Sequence, residues 1–218
     1  MTDIKLFFWP GSCSIAPHIL LHEAGLDFTP LKVEARGNEM VFPQDYRDVN
    51  PKMRVPVILV GDEVITEFPA VCTIISQLSK EKKLMGQTPL ETVRVYEWLN
   101  YLSGTVHASA FGHLFRPWRW TTSDDPEIHN GIKEKAKENA IGCFEYIESR
   151  LRDEVAFAVG HDLTAVDGLL YAMYRWAKSS GLVLTSYSKY TRLVENIEKR
   201  ETVKATLEKE GLDSILSL

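Results

Sequence analysis

The sequence predicts an α/β domain followed by an all-α domain. Three observations carry this reading. Strand-like and helix-like runs alternate over the first 80 residues, strand-length alternation is absent beyond Lys80, and a charged, then turn-rich segment at residues 81–89 separates the two patterns. The chain has 218 residues, more than the usual single domain and enough for two small ones.

Each element has a local reason. Residues 4–9 form a short β-rich run ended by Pro10-Gly11. Residues 15–24 carry Ile15, Ile19, Leu20 and Leu21 at helical spacing, and Gly25 ends the helix. Residues 28–33 read as a second strand and residues 44–49 as a short helix before Asn50-Pro51. Residues 55–60 and 63–66 flank Gly61-Asp62, a hairpin turn signal. Residues 70–78 place Val71, Ile74, Ile75 and Leu78 on one helical face. The order βαβ, link, ββα implies a right-handed crossover and a parallel strand pair. Residues 90–115 then read as one long helix, residues 117–126 as a connection, and residues 127–151 and 165–180 as further helices, the latter strongly apolar. Two shorter helices are expected near residues 193–200 and 203–210. Thr164 and Asp167 have capping-box spacing at the start of the apolar helix. The expected domains are residues 1–82 and 89–218.

Composition narrows the function. Hydrophobic residues make up 44% and charged residues 25%, which supports a folded core. A formal net charge of −5 and no basic stripe argue against a nucleic-acid partner. The apolar run at residues 4–9 is too short for a signal peptide, and no run approaches the roughly 20 apolar residues that span a bilayer. Cys13, Cys72 and Cys143 make no CxxC pair and no disulfide framework, so a reducing, cytoplasmic compartment is expected. No spacing of His, Cys or carboxylates suggests a metal site. Cys13 follows a strand and precedes a helix, where N–H groups and the dipole favour a populated thiolate. Cys72 and Cys143 lie at helical spacing and read as packing residues.

Several stretches together resemble one family. Pro10-Gly11-Ser12-Cys13-Ser14 with Ala16-Pro17-His18 looks like the opening of the bacterial beta-class, cysteine-type glutathione transferases. Asn50-Pro51-Lys52-Met53-Arg54-Val55-Pro56-Val57 resembles that family's turn before a proline. Thr66-Glu67 matches its acidic residue at a helix start. His107 sits where the class carries an active-site histidine, and the segment from Leu163 to Tyr171 resembles its buried capping-box helix. The matches run in order over nearly the whole chain.

The resemblance implies a thioredoxin-like first domain, a homodimer, and a fold that uses glutathione as co-substrate. It implies conjugation of glutathione to a small hydrophobic electrophile, reduction of mixed disulfides through Cys13, or both. Cys13, Ser14 and His107 are the catalytic candidates. Val55-Pro56 is expected to be cis, with the Val55 main chain pairing to the glutathione backbone. Glu67 would pair with the γ-glutamyl ammonium. The family usually has a small polar residue next; here Phe68 and Pro69 follow, so Phe68 would act through its backbone. Two lysines frequent in the class are replaced by Asn38 and Ala108. Arg54 is the leading substitute for holding the glycine carboxylate, with Arg36 and Lys52 as alternatives. Phe111, Phe115, Trp118, Trp120 and Trp176 are candidates for the electrophile pocket. The competing reading is a non-catalytic protein of the same fold that binds a ligand or partner, favoured by the changes at Asn38, Phe68 and Ala108.

Overall fold

A computed structural model describes residues 3–36 and 39–217. Asn38 lies outside the described residues. Strand β1 (Ile4–Phe8), helix α1 (Ile15–Ala24) and strand β2 (Thr29–Lys32) form the expected βαβ unit. β1 and β2 are parallel, with Lys5 opposite Thr29 and Phe8 opposite Lys32.

A two-stranded antiparallel ladder follows, β3 (Glu34–Arg36) and β4 (Glu39–Val41), where the sequence suggested only a link. Strands of three residues carry no alternation long enough to read. Then come α2 (Tyr46–Val49), β5 (Val57–Val60), β6 (Glu63–Thr66) and α3 (Phe68–Leu78). The four-stranded sheet has order β2-β1-β5-β6, and β5 runs antiparallel to both its neighbours. This is the expected thioredoxin-like arrangement.

The second half is helical, with one departure that matters. The long helix expected over residues 90–115 is three pieces: α4 (Pro89–Tyr101), a π-helical segment (Leu102–Phe111) and α5 (Gly112–Phe115). The wider winding shows in the Gly112 N–H, which donates to the carbonyl of His107 five residues back. A change of winding shifts an apolar stripe too gradually to be seen in sequence. Such segments recur at functional sites. After a single tight turn at Pro117–Arg119 come α6 (Pro126–Arg150), α7 (Ala165–Ser179), α8 (Ser188–Glu198) and α9 (Glu201–Glu210). α8 starts five residues before the expected 193. Its first turn is satisfied from outside, because the Glu148 carboxylate accepts the N–H groups of Lys189 and Tyr190, both at 2.9 Å. Among the described residues no helix is long and apolar enough to cross a membrane.

One contiguous core spans both halves. Leu6, Ile15, Ile19 and Ile75 pack in the same cluster as Val166, Leu170 and Val194. α7 is buried from Ala165 through Ala177, so it is the central helix of the molecule. It approaches α1 closely at Gly168, where an added Cβ would lie 3.1 Å from the Cβ of Ala16. Any larger residue there would force the two helices apart.

The start of α7 is held by a buried carboxylate. Asp167 accepts the N–H of Thr164 at 2.7 Å, the Thr164 hydroxyl at 3.0 Å and the N–H of Ala158 at 2.8 Å. Removing it orphans buried donors, at about 1–3 kcal/mol each. Asp167→Ala is therefore expected to lower the denaturant midpoint by the equivalent of at least about 2 kcal/mol. Burial raises the Asp167 pKa to about 6 from an ordinary 3.8, so its contribution is largest below the ordinary value and falls as pH rises through about 6. Asp167→Asn, which cannot titrate, should thus lose less against the parent at about pH 7 than at about pH 4. An unchanged midpoint in Asp167→Ala would show that this cap is dispensable.

Candidate active site

Residues 9–14 leave β1 and enter α1 in a compact turn. Gly11 sits at φ 70°, a left-handed conformation that glycine adopts without cost. Ser14 closes the turn. Its hydroxyl accepts the Trp9 N–H at 3.1 Å, donates to the Trp9 carbonyl at 3.2 Å, and lies 2.7 Å from the Ser12 hydroxyl. Ser14 is therefore fully buried and structural, while Cys13 is left at the edge of a cleft.

Cys13 does not carry the expected thiolate. Desolvation pushes its pKa up to about 12, against its own backbone N–H and the charges of Arg116 and Arg54, which lower it. The protonated thiol donates to the Val55 carbonyl at 3.6 Å. Position at a helix start lowers a cysteine pKa only where solvent or nearby charge offsets burial. Here burial wins.

The facing wall is built from the segment after α2. The buried Asn50 amide donates to the Arg54 carbonyl at 2.9 Å, and the Tyr46 hydroxyl donates to the same oxygen at 2.7 Å. These two bonds aim Arg54 and Val55 at Cys13. The Val55–Pro56 bond is cis. Glu67 precedes α3 with φ 69° and ψ 126°, a conformation that costs a non-glycine residue on the order of 1–3 kcal/mol and is found mostly at functional sites. Its carboxylate accepts from Lys52 Nζ at 2.5 Å, and the same ammonium donates to the Thr66 hydroxyl at 2.7 Å.

Two cavities meet at Cys13. The larger, about 620 Å³, is lined by Lys52, Val55, Glu67, Phe68 and Ser103 among others. The smaller, about 350 Å³, is lined by Trp9, Met40, Phe115, Trp176 and three arginines, Arg54, Arg116 and Arg119. Cys13, Arg54, Val55 and His107 border both. The π-helical segment carries His107, whose pKa falls to about 4 through burial, then through the charges of Arg116 and Arg54. His107 is thus neutral near pH 7, a donor or acceptor but not a cation. The Ser103 hydroxyl on the same segment is buried and has no hydrogen-bond partner among the described residues.

Known proteins share this fold. The family model for the glutathione S-transferase N-terminal domain matches residues 11–78, and that for the C-terminal domain matches residues 113–210. Glutathione S-transferase GstA of Escherichia coli O157:H7 is 32% identical over 213 residues, which cover 96% of this chain and 100% of that protein. The chain belongs to the glutathione S-transferase family. The glutathione S-transferase of Xylella fastidiosa superposes with a TM-score of 0.86 at 26% identity, covering 97% of this chain and 100% of that one. A sphingomonad glutathione S-transferase complexed with glutathione superposes with a TM-score of 0.81 at 31% identity, over 96% of this chain and 100% of its own. A beta-class enzyme from Sphingomonas chungbukensis superposes at 0.82 with 30% identity, over 96% of this chain and 100% of that one.

The structure of this transferase brings together Cys13, His107, Arg54, Val55, Pro56, Glu67 and Phe68 around the larger cavity. Phe115 and Trp176 face the smaller one. It does not bring Ser14, Phe111, Trp118 or Trp120 there. Phe111 is fully buried, packed between Phe115, Phe144 and Trp176. Trp120 stacks on His113 at 3.8 Å on the outside, and Trp118 is about half exposed. Sequence reasoning missed Trp9, Met40, Ser103, Arg116 and Arg119. The two arginines had a signal, Arg116-Pro117-Trp118-Arg119 in a connection, but only the tryptophan was read from it.

It also missed Glu210, the last residue of α9. Its buried carboxylate accepts the Gly11 N–H at 2.9 Å and lies 2.8 Å from His18 Nδ1. The Trp176 indole donates to the Gly11 carbonyl at 2.7 Å. Glu210→Ala is expected to orphan two buried groups and lose about 1–3 kcal/mol for each, read as a lower denaturant midpoint. Glu210→Gln keeps acceptor oxygen toward Gly11 and should lose less than half as much. Equal losses in the two variants would show that packing, not hydrogen bonding, holds Glu210 in place.

Proposed function

We propose that this transferase conjugates glutathione to hydrophobic electrophiles in a detoxifying reaction, with the tripeptide in the larger cavity and the electrophile in the smaller. One observation carries the reading: the residues shared by the two cavities are Cys13, Arg54, Val55 and His107, so a sulfur held at Cys13 faces the second cavity directly.

In this reading the Val55 main chain pairs with the cysteinyl backbone as one added strand. Glu67 holds the γ-glutamyl ammonium, and the first N–H groups of α3, including that of Phe68, hold the γ-glutamyl carboxylate. The unpartnered Ser103 hydroxyl offers one further bond. Arg54 holds the glycine carboxylate. The thiol of a free peptide titrates near about 8.5. At this site two neutral donors, the Cys13 S–H and a His107 N–H, with the nearby charges of Arg54 and Arg116, favour its thiolate. The thiolate attacks the electrophilic carbon and the leaving group departs with the electron pair. Reduction of mixed disulfides through Cys13 needs a thiolate on Cys13 itself, which burial opposes. Conjugation is therefore the stronger reading.

A cytoplasmic homodimer is part of the proposal. Three free cysteines suit a reducing compartment. The exposed Leu90 and Val93 lie three apart on α4 and offer an apolar face to a second copy. The division into residues 1–82 and 89–218 belongs to the same proposal.

The test is kinetic. Cys13→Ala should keep kcat/KM for conjugation within about tenfold, because His107 and the arginines remain. Between about pH 5 and about pH 9 the parent profile should show one rising limb, from the glutathione thiol, with an apparent pKa below about 8.5. His107 should add no inflection in that range, since its pKa of about 4 leaves it neutral throughout. A loss in Cys13→Ala as large as about 1,000-fold would instead point to covalent chemistry at Cys13.

A further inference from the structure

The smaller cavity holds more positive charge than a neutral electrophile needs. Arg54, Arg116 and Arg119 all line it, and among the described residues no carboxylate does. Among the described residues none of the three guanidinium groups is in an ion pair. This concentration occurs in a chain whose net charge is −5. The remaining wall is apolar or aromatic, with Trp9, Met40, Phe115 and Trp176.

Local geometry explains why two of the arginines share one wall. The Arg119 N–H donates to the Arg116 carbonyl at 3.1 Å, closing a turn with three residues per winding. Side chains three apart in such a turn eclipse each other. Arg116 and Arg119 thereby both reach the cavity, Arg119 from its exposed rim, while Trp118 between them is exposed and lines no part of it. Arg116 is half-buried with its guanidinium 5.8 Å from the centre of the Trp9 ring. Burial, then the charge of Arg54, pulls the Arg116 pKa down, and burial, then the charges of Arg116 and Arg54, does the same to Arg119. These cations repel one another, and among the described residues none has a carboxylate within ion-pair distance. Arg54 is taken by the glycine carboxylate in the reading above. Arg116 and Arg119 hold no group of the tripeptide there, although the Arg116 charge also acts on its sulfur.

We propose that the second substrate is an anionic aromatic electrophile, its carboxylate or sulfonate held by Arg116 and Arg119 and its ring lying against Trp9 and Phe115. This rests on the placement of glutathione in the larger cavity. The planar fork of arginine suits a two-oxygen anion better than a lysine would.

The experiment compares two ligands of one shape. A dinitrobenzoate and the corresponding dinitrobenzamide are titrated calorimetrically into glutathione-saturated protein. The benzoate should bind about tenfold tighter or better. Arg116→Gln and Arg119→Gln should each cut that preference several-fold, and the double variant should abolish it while amide binding stays within about twofold. kcat/KM for the chlorinated, reactive forms of the two ligands should follow the same order. Equal binding of benzoate and amide, or variants that weaken both alike, would overturn the proposal. So would an equal loss of glutathione affinity in Arg116→Gln, which would assign that arginine to the tripeptide. A separate titration with glutathione alone tests the underlying placement. If wild type fails to bind glutathione, that placement falls, and the benzoate preference, repeated without glutathione, still decides the anion site.

Discussion

Both main-chain polar groups of Gly11 are taken by side chains from the helical half of the molecule. Its N–H goes to the Glu210 carboxylate and its carbonyl to the Trp176 indole. The turn that presents Cys13 is thus fixed from the helical half as well as by the Ser14–Trp9 bonds at the end of β1. It is held by α7 and by the last residue of α9, about 200 positions away in sequence. The carboxylate also faces His18, and the His18 ring packs against Phe8, Phe28 and His22. One buried carboxyl group therefore links the site turn, α1 and α9. Because the core beneath is continuous from Leu6 to Ile215, a displacement of the helical half is transmitted to Cys13.

The charge balance of the site follows from how tightly that turn is held. Cys13 borders two cavities, yet desolvation by its neighbours outweighs two nearby arginines and a helix start. The same packing keeps His107 neutral. The site therefore offers uncharged donors beside unpaired cations, a combination that stabilises an anion brought from outside in preference to one generated on the protein. A site built to ionise its own cysteine would need the opposite, a sulfur with less desolvation around it.

Much of this was legible in the sequence. Long periodic runs gave α1, α3, α6 and α7 nearly to the residue, and Thr164 with Asp167 marked the start of the buried helix. The segments around Cys13, Val55-Pro56, Glu67 and His107 could be read because each joins two elements whose order was already clear. What could not be read is tertiary. Ser14 and Phe111 have residue types suited to a site, but their burial depends on neighbours remote in sequence. Cys13 shows its helix start in sequence and hides its desolvation. Arg116 and Arg119 lie in a segment without periodicity, where only the tight turn reveals that they share a face. Glu210 looks like an ordinary surface acid at a helix end, where a negative charge is unfavourable for the dipole. Its role appears only when α9 is packed on α1.

The two halves also divide recognition in a way that bears on how specificity can change. In the proposed placement, the thioredoxin-like half meets glutathione mostly through main chain, at Val55 and the start of α3, and Asn50 and Tyr46 fix the Arg54 carbonyl just before it. Side chains there can vary little without moving the backbone they anchor. The helical half presents side chains from residues 102–119, where a π-helical segment and one tight turn replace a regular helix. Irregular winding frees these positions from the repeat that packing imposes on α6 and α7. His107, Phe115, Arg116 and Arg119 can therefore be exchanged with little cost to the core, whereas Gly168 and Asp167 cannot. Under the proposed placement, a change of electrophile class from neutral to anionic or back falls mainly on Arg116 and Arg119 in this short segment, while the continuous core keeps Cys13 and the Val55 main chain in register.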